Sequence, residues 1–219
     1  MRIACIGYRG WAINIYKKLQ YRFPGYNFLM QLSKEEFCGL QIEKFKPEMV
    51  LFYGWSEIIP SKLIKGSKCL MLHPSPLPKY RGGSPIQNQI INGEIHSAVT
   101  IFQMDIGIDD GPIAKQKYLS LEGTLAEIFE RIEVLGFELT QDIFLNGLEV
   151  YAQNNENATY CSRRSPEQSE ITLEELETQS AQYLHNKIRM LQSPFPNAFI
   201  KTCDGKKLLI KCSEIIHKN

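Results

Sequence analysis

Short apolar runs of strand length recur along the chain, each closed by a turn and followed by a segment with helical spacing. Arg2 to Gly7 is such a run, and Gly7-Tyr-Arg-Gly10 opens Trp11 to Leu19, where the apolar positions mix helical and alternating spacing. A strand, a glycine turn and a helix in that order begin a Rossmann-like unit. The G-x-x-G lacks the third glycine of the dinucleotide fingerprint and reads as a tight strand-to-helix turn rather than a phosphate cradle. Tyr26 to Leu32 predicts a second strand, and a short helix is expected from Ser33, with a further segment up to Phe45. Met49 to Trp55 is a continuous apolar run, the pattern of a parallel strand covered on both faces. Ser56 is expected to cap a turn or helix toward Leu63, and Lys68 to Leu72 is the next strand.

Beyond residue 80 the punctuation is stronger. Ser84-Pro85 predicts a helix start with an N-cap hydroxyl and proline at the first helical position, running to Asn92-Gly93. Val99 to Met104 and Ala114 to Leu119 read as strands, and Thr124-Leu-Ala-Glu127 is a capping box opening a long amphipathic helix to Leu145. Asn154 to Gln168 is polar and turn-rich, the expected linker. A second capping box at Thr172 to Glu175 opens a helix toward Leu191, which Ser193-Pro-Phe-Pro-Asn197 ends, and Asp204-Gly205 signals a hairpin. The expected fold is α/β: a Rossmann-like N-terminal domain over residues 1–150 with a central, mostly parallel sheet. Residues 151–219 form a linker and a small helix-hairpin module. An exposed edge on that hairpin would let a second copy pair with it as a homodimer.

Composition narrows the function classes. The chain has 219 residues, is 43% hydrophobic and carries a formal net charge of +1 with its Lys and Arg spread out, so nucleic acid is not an expected partner. The six cysteines show no C-x-x-C pair, no His stands at zinc-finger spacing, and no metal is expected. No signal-peptide pattern and no window of eighteen uninterrupted apolar residues is present, so a reduced, cytoplasmic protein with no membrane span is expected.

The candidate chemistry lies between Cys69 and Gln116. His73 follows one apolar run and is stiffened by Pro74, Pro76 and Pro78; Asp109 follows another, in Gly107-Ile-Asp-Asp-Gly111. A carboxylate beside an imidazole stabilises the imidazolium and fixes the tautomer, so two strand ends each deliver half of a proton-handling pair. His96, His185 and His217 read as solvent-facing, Asp105 and Asp110 as loop-shaping neighbours, and Tyr183, Phe195 and Phe199 as packing.

His73-Pro-Ser-Pro-Leu-Pro-Lys-Tyr-Arg-Gly-Gly-Ser-Pro-Ile-Gln87, with Asn92-Gly-Glu94, Val99 to Asp105 and Gly107-Ile-Asp109, resembles the signature of the 10-formyltetrahydrofolate-dependent formyltransferases. Arg163 to Glu167 and Pro194 to Phe199 resemble the segment that follows the catalytic domain in that family. The resemblance implies that His73 is the catalytic histidine and Asp109 its aspartate. N10-formyltetrahydrofolate, the implied co-substrate, would lie between Ser75, Pro76, Leu77 and Pro78 and the backbone of Asp105, Ile106, Gly107 and Ile108, with its pterin near Tyr53 and Trp55. Arg81 would anchor it, or else is a surface loop cation. The family carries an asparagine two residues before the histidine, as a donor to the oxyanion; here that residue is Met71, whose thioether donates nothing.

Three consequences stay open: another donor such as water or His73 itself, a slow formyltransferase, or a folate or nucleotide-sugar binding homologue without turnover. About fifty residues follow the expected linker, fewer than the C-terminal β-barrel of methionyl-tRNA formyltransferases needs. The resemblance therefore points to a nucleotide-linked amino-dideoxy sugar as acceptor, for a surface polysaccharide. Methionyl-tRNA or another amine is the alternative.

Overall fold

The computed structural model describes residues 1–216; His217 lies outside them. In chain order the first half contains β1 (Arg2–Ile6), α1 (Gly10–Arg22), β2 (Asn27–Gln31), α2 (Gly39–Phe45), β3 (Met49–Tyr53), α3 (Ser61–Gly66) and β4 (Cys69–His73). There follow β5 (Arg81–Gly82), α4 (Pro85–Ile91), β6 (His96–Gln103), β7 (Ile113–Ser120) and α5 (Leu125–Asn146). The last part holds β8 (Tyr160–Cys161), α6 (Leu173–Thr178), α7 (Ala181–Arg189), β9 (Ala198–Lys201) and β10 (Lys207–Ile210).

One sheet organises these elements, in the order β2-β1-β3-β4-β6-β7. The first four strands are parallel, and β6 and β7 are antiparallel, so the sheet is mostly parallel and Rossmann-like, as expected. Every residue of β3 is buried, because helices cover both faces. On one face, Ile15 and Leu19 of α1 and Ile128 and Ile132 of α5 close over Leu51, Leu70 and Leu72; on the other, Ile42 of α2 and Leu63 of α3 cover Val50 and Phe52. Each fully buried aliphatic side chain contributes about 1.5–3 kcal/mol. The buried hydroxyl of Tyr16 donates to the carbonyls of Ile6 and Leu51 and accepts from Tyr53 N, tying α1 to β1 and β3.

Strand alternation sorts β4 by face. Leu70 and Leu72 enter the α1/α5 core, while Met71 packs with Trp55 and Phe102 clusters and His73 follows it on that side. The register sets Gln103, the last residue of β6, beside Leu70, and Thr100 beside His73. The loop after β6 therefore folds back along β4, over roughly three strand residues or about 10 Å, to bring Asp109 to the imidazole. A loop, rather than a second strand tip, delivers the carboxylate.

Local signals decide some element ends and not others. Both capping boxes form: Glu127 N donates to Thr124 Oγ1 at 3.3 Å and Glu175 N to Thr172 Oγ1 at 3.1 Å. The second helix stops at Thr178, and Ser180 then caps a new one, α7, by accepting from Tyr183 N. At Ser33 a capping-type exchange with Glu36 closes only a turn, and helix resumes at Gly39. Ser56 caps no helix; its hydroxyl meets Tyr8 Oη, and α3 starts at Ser61. Ser84 has a left-handed φ of 51° and no side-chain cap; its Oγ accepts from Arg164 N instead.

The segment expected to be a linker is tied down. Tyr151 exchanges backbone hydrogen bonds with Ile113, β8 pairs with β5, and Arg81 N donates to Thr159 O. Farther on, Ile171 N donates to Phe199 O, joining the turn before α6 to the β9-β10 hairpin. Lys187 is buried against Glu175, with Nζ to Oε1 at 2.6 Å.

Candidate active site

The loop after β4 is clamped from below. Ser75 Oγ donates to Lys79 O at 2.8 Å, Thr100 Oγ1 to Ser75 O at 2.6 Å, Gln116 Nε2 to Leu77 O at 3.1 Å and Gln89 Nε2 to Pro74 O at 2.9 Å. Ser75 and Leu77 are buried, so this loop is a platform under His73, with Pro74 on its open side.

His73 is 5% exposed. Its Nε2 lies 2.9 Å from the carbonyl of Tyr80, which only accepts, so this contact requires Nε2–H. In the neutral ring the basic nitrogen is then Nδ1, which lies 3.5 Å from Asp109 Oδ2. Both partners accept, and the shorter contact, to the Tyr80 carbonyl, favours the proton on Nε2 in the neutral ring. The carboxylate is placed to stabilise a proton once Nδ1 has taken it.

Asp109 sits at a left-handed φ of 50°, and three hydrogen bonds hold it and its loop. Gly82 N donates to its Oδ2 at 2.8 Å, and Gln153 Nε2 donates to Asp109 O at 2.9 Å and to Gly111 O at 2.6 Å. Gly82, at φ 100°, has no room for a side chain, because a Cβ would meet Cys161 O. Behind it lies Arg81, 2% exposed. Its guanidinium donates to Gln153 Oε1 at 2.7 and 3.2 Å, Asn155 Oδ1 at 2.8 Å and Tyr160 Oη at 3.0 Å. The partners of this buried cation are all neutral.

A cavity of about 660 Å3 opens over His73, and Met71, Pro74, Gly82, Ile108 and Asp109 share its wall. Trp55 lines it too, wedged between Tyr8 and Phe37 with ring centroids 5.5 and 5.1 Å away. Other expected site residues are not in that wall. Arg81 is locked behind it, and Tyr53 is fully buried with its hydroxyl 2.9 Å from Thr140 Oγ1. Ser75, Pro76, Leu77 and Pro78 form the platform, and Asp105, Ile106 and Gly107 lie outside the wall, with Ile106 N donating to Asp105 Oδ1. Arg9, Trp11, Gln87, Phe129, Arg163, Arg164 and Phe195 do line the cavity. Gln87, the two arginines and Phe195 fall within the stretches that carry the family resemblance, whereas Arg9, Trp11 and Phe129 carried no such signal.

A separate cavity of about 640 Å3 lies by α7, where His185 Nδ1 faces Ser213 Oγ at 3.0 Å and Arg189 donates to the carbonyls of Leu121 and Gly123. His185 is thus half-buried and engaged, not solvent-facing. His96 is exposed, as expected, with Nδ1 2.8 Å from Tyr118 Oη. Among the described residues no cluster of metal-ligating side chains occurs, and no helix is long and apolar enough to cross a membrane.

The family model described as formyl transferase matches residues 19–136. A methionyl-tRNA formyltransferase of Lactobacillus gasseri is 32% identical over 200 residues, covering 88% of this chain and 61% of its own. The chain spans about three-fifths of the length of the curated relatives it matches. A solved structure of a methionyl-tRNA formyltransferase from Clostridium thermocellum superposes with a TM-score of 0.86 at 30% identity, covering 96% of this chain and 97% of that one. A sugar N-formyltransferase from a Shewanella species shares the fold, with a TM-score of 0.77 at 21% identity over 100% of this chain and 99% of its own. By the matched model and by a relative aligned along nearly its whole length, this chain belongs to the formyl transferase family.

Proposed function

We propose that the chain transfers the formyl group of N10-formyltetrahydrofolate to the amine of a nucleotide-linked amino-dideoxy sugar. The observation that carries this reading is the His73–Asp109 pair in the wall of a cavity large enough for a flat ring system, with Nδ1 facing the carboxylate. The acceptor amine attacks the formyl carbon, Nδ1 of His73 takes the amine proton, and the same proton goes to N10 as the C–N10 bond breaks. The N-formylated amino sugar and tetrahydrofolate are the products, and the histidine returns to its starting state. Asp109 steadies the transient positive charge on the ring. Trp55, Ile58, Met71 and Ile108 offer an apolar surface to the pterin.

A near-neutral net charge of +1 supports a small acceptor over tRNA. The 30% identity to a methionyl-tRNA formyltransferase along nearly its whole length favours the other acceptor, so both belong in one assay.

The test is tetrahydrofolate release from N10-formyltetrahydrofolate with a panel of nucleotide-linked 3- and 4-amino sugars and with methionyl-tRNA. At least one amino sugar should be formylated, and His73→Ala should lower turnover by about two to four orders of magnitude while folate still binds. Undiminished turnover in that variant would overturn the mechanism. Formylation of methionyl-tRNA alone would overturn the acceptor.

A further inference from the structure

Buried polar groups in folded proteins nearly always find a partner, so the exceptions point to something. Among the described residues three buried side-chain atoms lack one: Trp55 Nε1, Gln87 Nε2 and Arg164 Nε. All three are donors, and all three residues stand in the wall of the cavity over His73. Gln87 is only 4% exposed. The wall is short of acceptors.

The charges tell the same story. Arg9, Arg163 and Arg164 line that cavity, and among the described residues no carboxylate lies within ion-pair distance of any of them. The wall's own carboxylates pair with other cations, Glu57 with Lys34 and Asp109 with His73, and Glu57 acts on Arg163 only from a distance. Neutral groups hold the three guanidiniums in place. Arg163 Nη2 donates to Ser56 O at 2.9 Å and Arg164 Nη2 to Gln168 O at 3.0 Å, while Arg9 lies over the rings of Tyr8 and Phe195 at 5.3 and 5.4 Å. Glu175 acts on Arg164 only from a distance, since both its oxygens receive Lys187 Nζ. Burial pulls Arg164 below the ordinary arginine range, as befits a cation lacking a counter-charge.

We infer that Arg9, Arg163 and Arg164 form an anion subsite beside the reaction centre that takes a phosphoryl or diphosphoryl group of the amine acceptor. The inference rests on the proposed formyl transfer and adds to it the feature by which an acceptor is chosen. A guanidinium presents paired N–H donors that match phosphate oxygens, and three of them suit the multiple charge of a diphosphate better than a single carboxylate. Gln87 Nε2 is a neutral donor available to the same ligand. An acceptor amine without a phosphoryl group would reach the same histidine but lack this anchor.

The glutamate carboxylates of the folate donor are a second source of negative charge, and the experiment separates the two. Inorganic diphosphate is titrated calorimetrically into the full chain, alone and with saturating tetrahydrofolate. One diphosphate should bind with or without the folate, weakening with added salt. Arg164→Gln and Arg9→Gln, which come from different elements, should each weaken it about ten- to a hundredfold, the loss of a charge-assisted hydrogen bond. Lys62→Gln, at an exposed lysine outside the cavity wall, should change nothing. In turnover, Arg164→Gln should raise KM for a phosphorylated amine more than it raises KM for the corresponding free amino sugar. Displacement of diphosphate by tetrahydrofolate would assign the arginines to the donor's tail, and no binding, or equal binding by the arginine variants, would overturn the subsite. Diphosphate binding without formylation of any amine would refute the proposed reaction and leave the subsite standing.

Discussion

Gln153→Ala is the substitution that tests how the reaction centre is held. Gln153 links a buried cation to the aspartate loop: its Oε1 accepts from Arg81 at 2.7 and 3.2 Å, and its Nε2 donates to Asp109 O at 2.9 Å and Gly111 O at 2.6 Å. Alanine removes all four bonds. Hydrogen bonds to a charged group are worth about 1.5–3 kcal/mol and neutral ones about 1 kcal/mol, and a buried cation stripped of a partner costs more. Arg81 keeps Asn155 and Tyr160, and water can enter beside the half-buried Gln153, so a net loss of about 2–4 kcal/mol is expected.

That is a large part of a typical 5–15 kcal/mol stability and is readable as a lower urea midpoint. Turnover should fall about tenfold to a hundredfold as the carboxylate loses its fixed position. Gln153→Glu separates the two effects. It restores an acceptor to Arg81 and so recovers stability, but sets carboxylate oxygens against the carbonyls of Asp109 and Gly111, so turnover stays low. A Gln153→Ala variant that melts within about 0.5 kcal/mol of the parent would refute the energetic argument. Full turnover in a destabilised Gln153→Ala, or in Gln153→Glu, would show that the loop needs no such support.

Other expectations follow from single features. Met71→Asn should leave turnover nearly unchanged, because the unpaired Trp55 Nε1 donor already stands in the same wall; a rise of about a hundredfold or more would identify a slow enzyme missing its oxyanion donor. Gly7→Ala should lower Tm by at least roughly 4 °C, since the added Cβ would collide with the backbone carbonyl of Tyr53, and an unchanged melt would contradict that packing. Burial pushes the Glu175 carboxyl up, but hydrogen bonds from Lys187 and the Thr172 backbone outweigh it and hold the group below its ordinary 4.5. The unfolded chain then takes up this proton at a higher pH than the folded one, so the pair's stabilisation is full above about pH 4.5 and disappears as pH falls through the lower folded value. Urea midpoints between pH 6 and pH 3 should drop less steeply in Lys187→Met than in the parent.

Much of the scaffold was legible because its signals are local. The all-apolar run at β3, the two capping boxes and Asp204-Gly205 each encode their element within a few residues, and each appears. His73 and Asp109 were legible as a pair, and the structure brings them to 3.5 Å. Less visible was anything decided by long-range packing. Arg81 could as well have been an anchor or a surface cation, because its burial depends on three polar side chains more than seventy residues away. The polar stretch after residue 150 has the composition of a linker, yet its amides and hydroxyls satisfy a buried guanidinium and a loop's carbonyls. Ser84 carried the right residue type for an N-cap, and tertiary contact with Arg164 claimed its hydroxyl instead.

The strand β8 and the residues around it back the aspartate loop from outside the Rossmann-like sheet. The support of Asp109 and the proposed anion subsite therefore share one segment of the chain. A chimera that grafts a foreign tail at residue 150 would exchange Gln153, Arg163 and Arg164 together, and a fragment trimmed there would retain His73 and Asp109 while losing what aligns them. Swapping tails between relatives to redirect specificity would disturb reactivity at the same stroke, so graft points are better sought after Ser165 than in the polar stretch that looks dispensable.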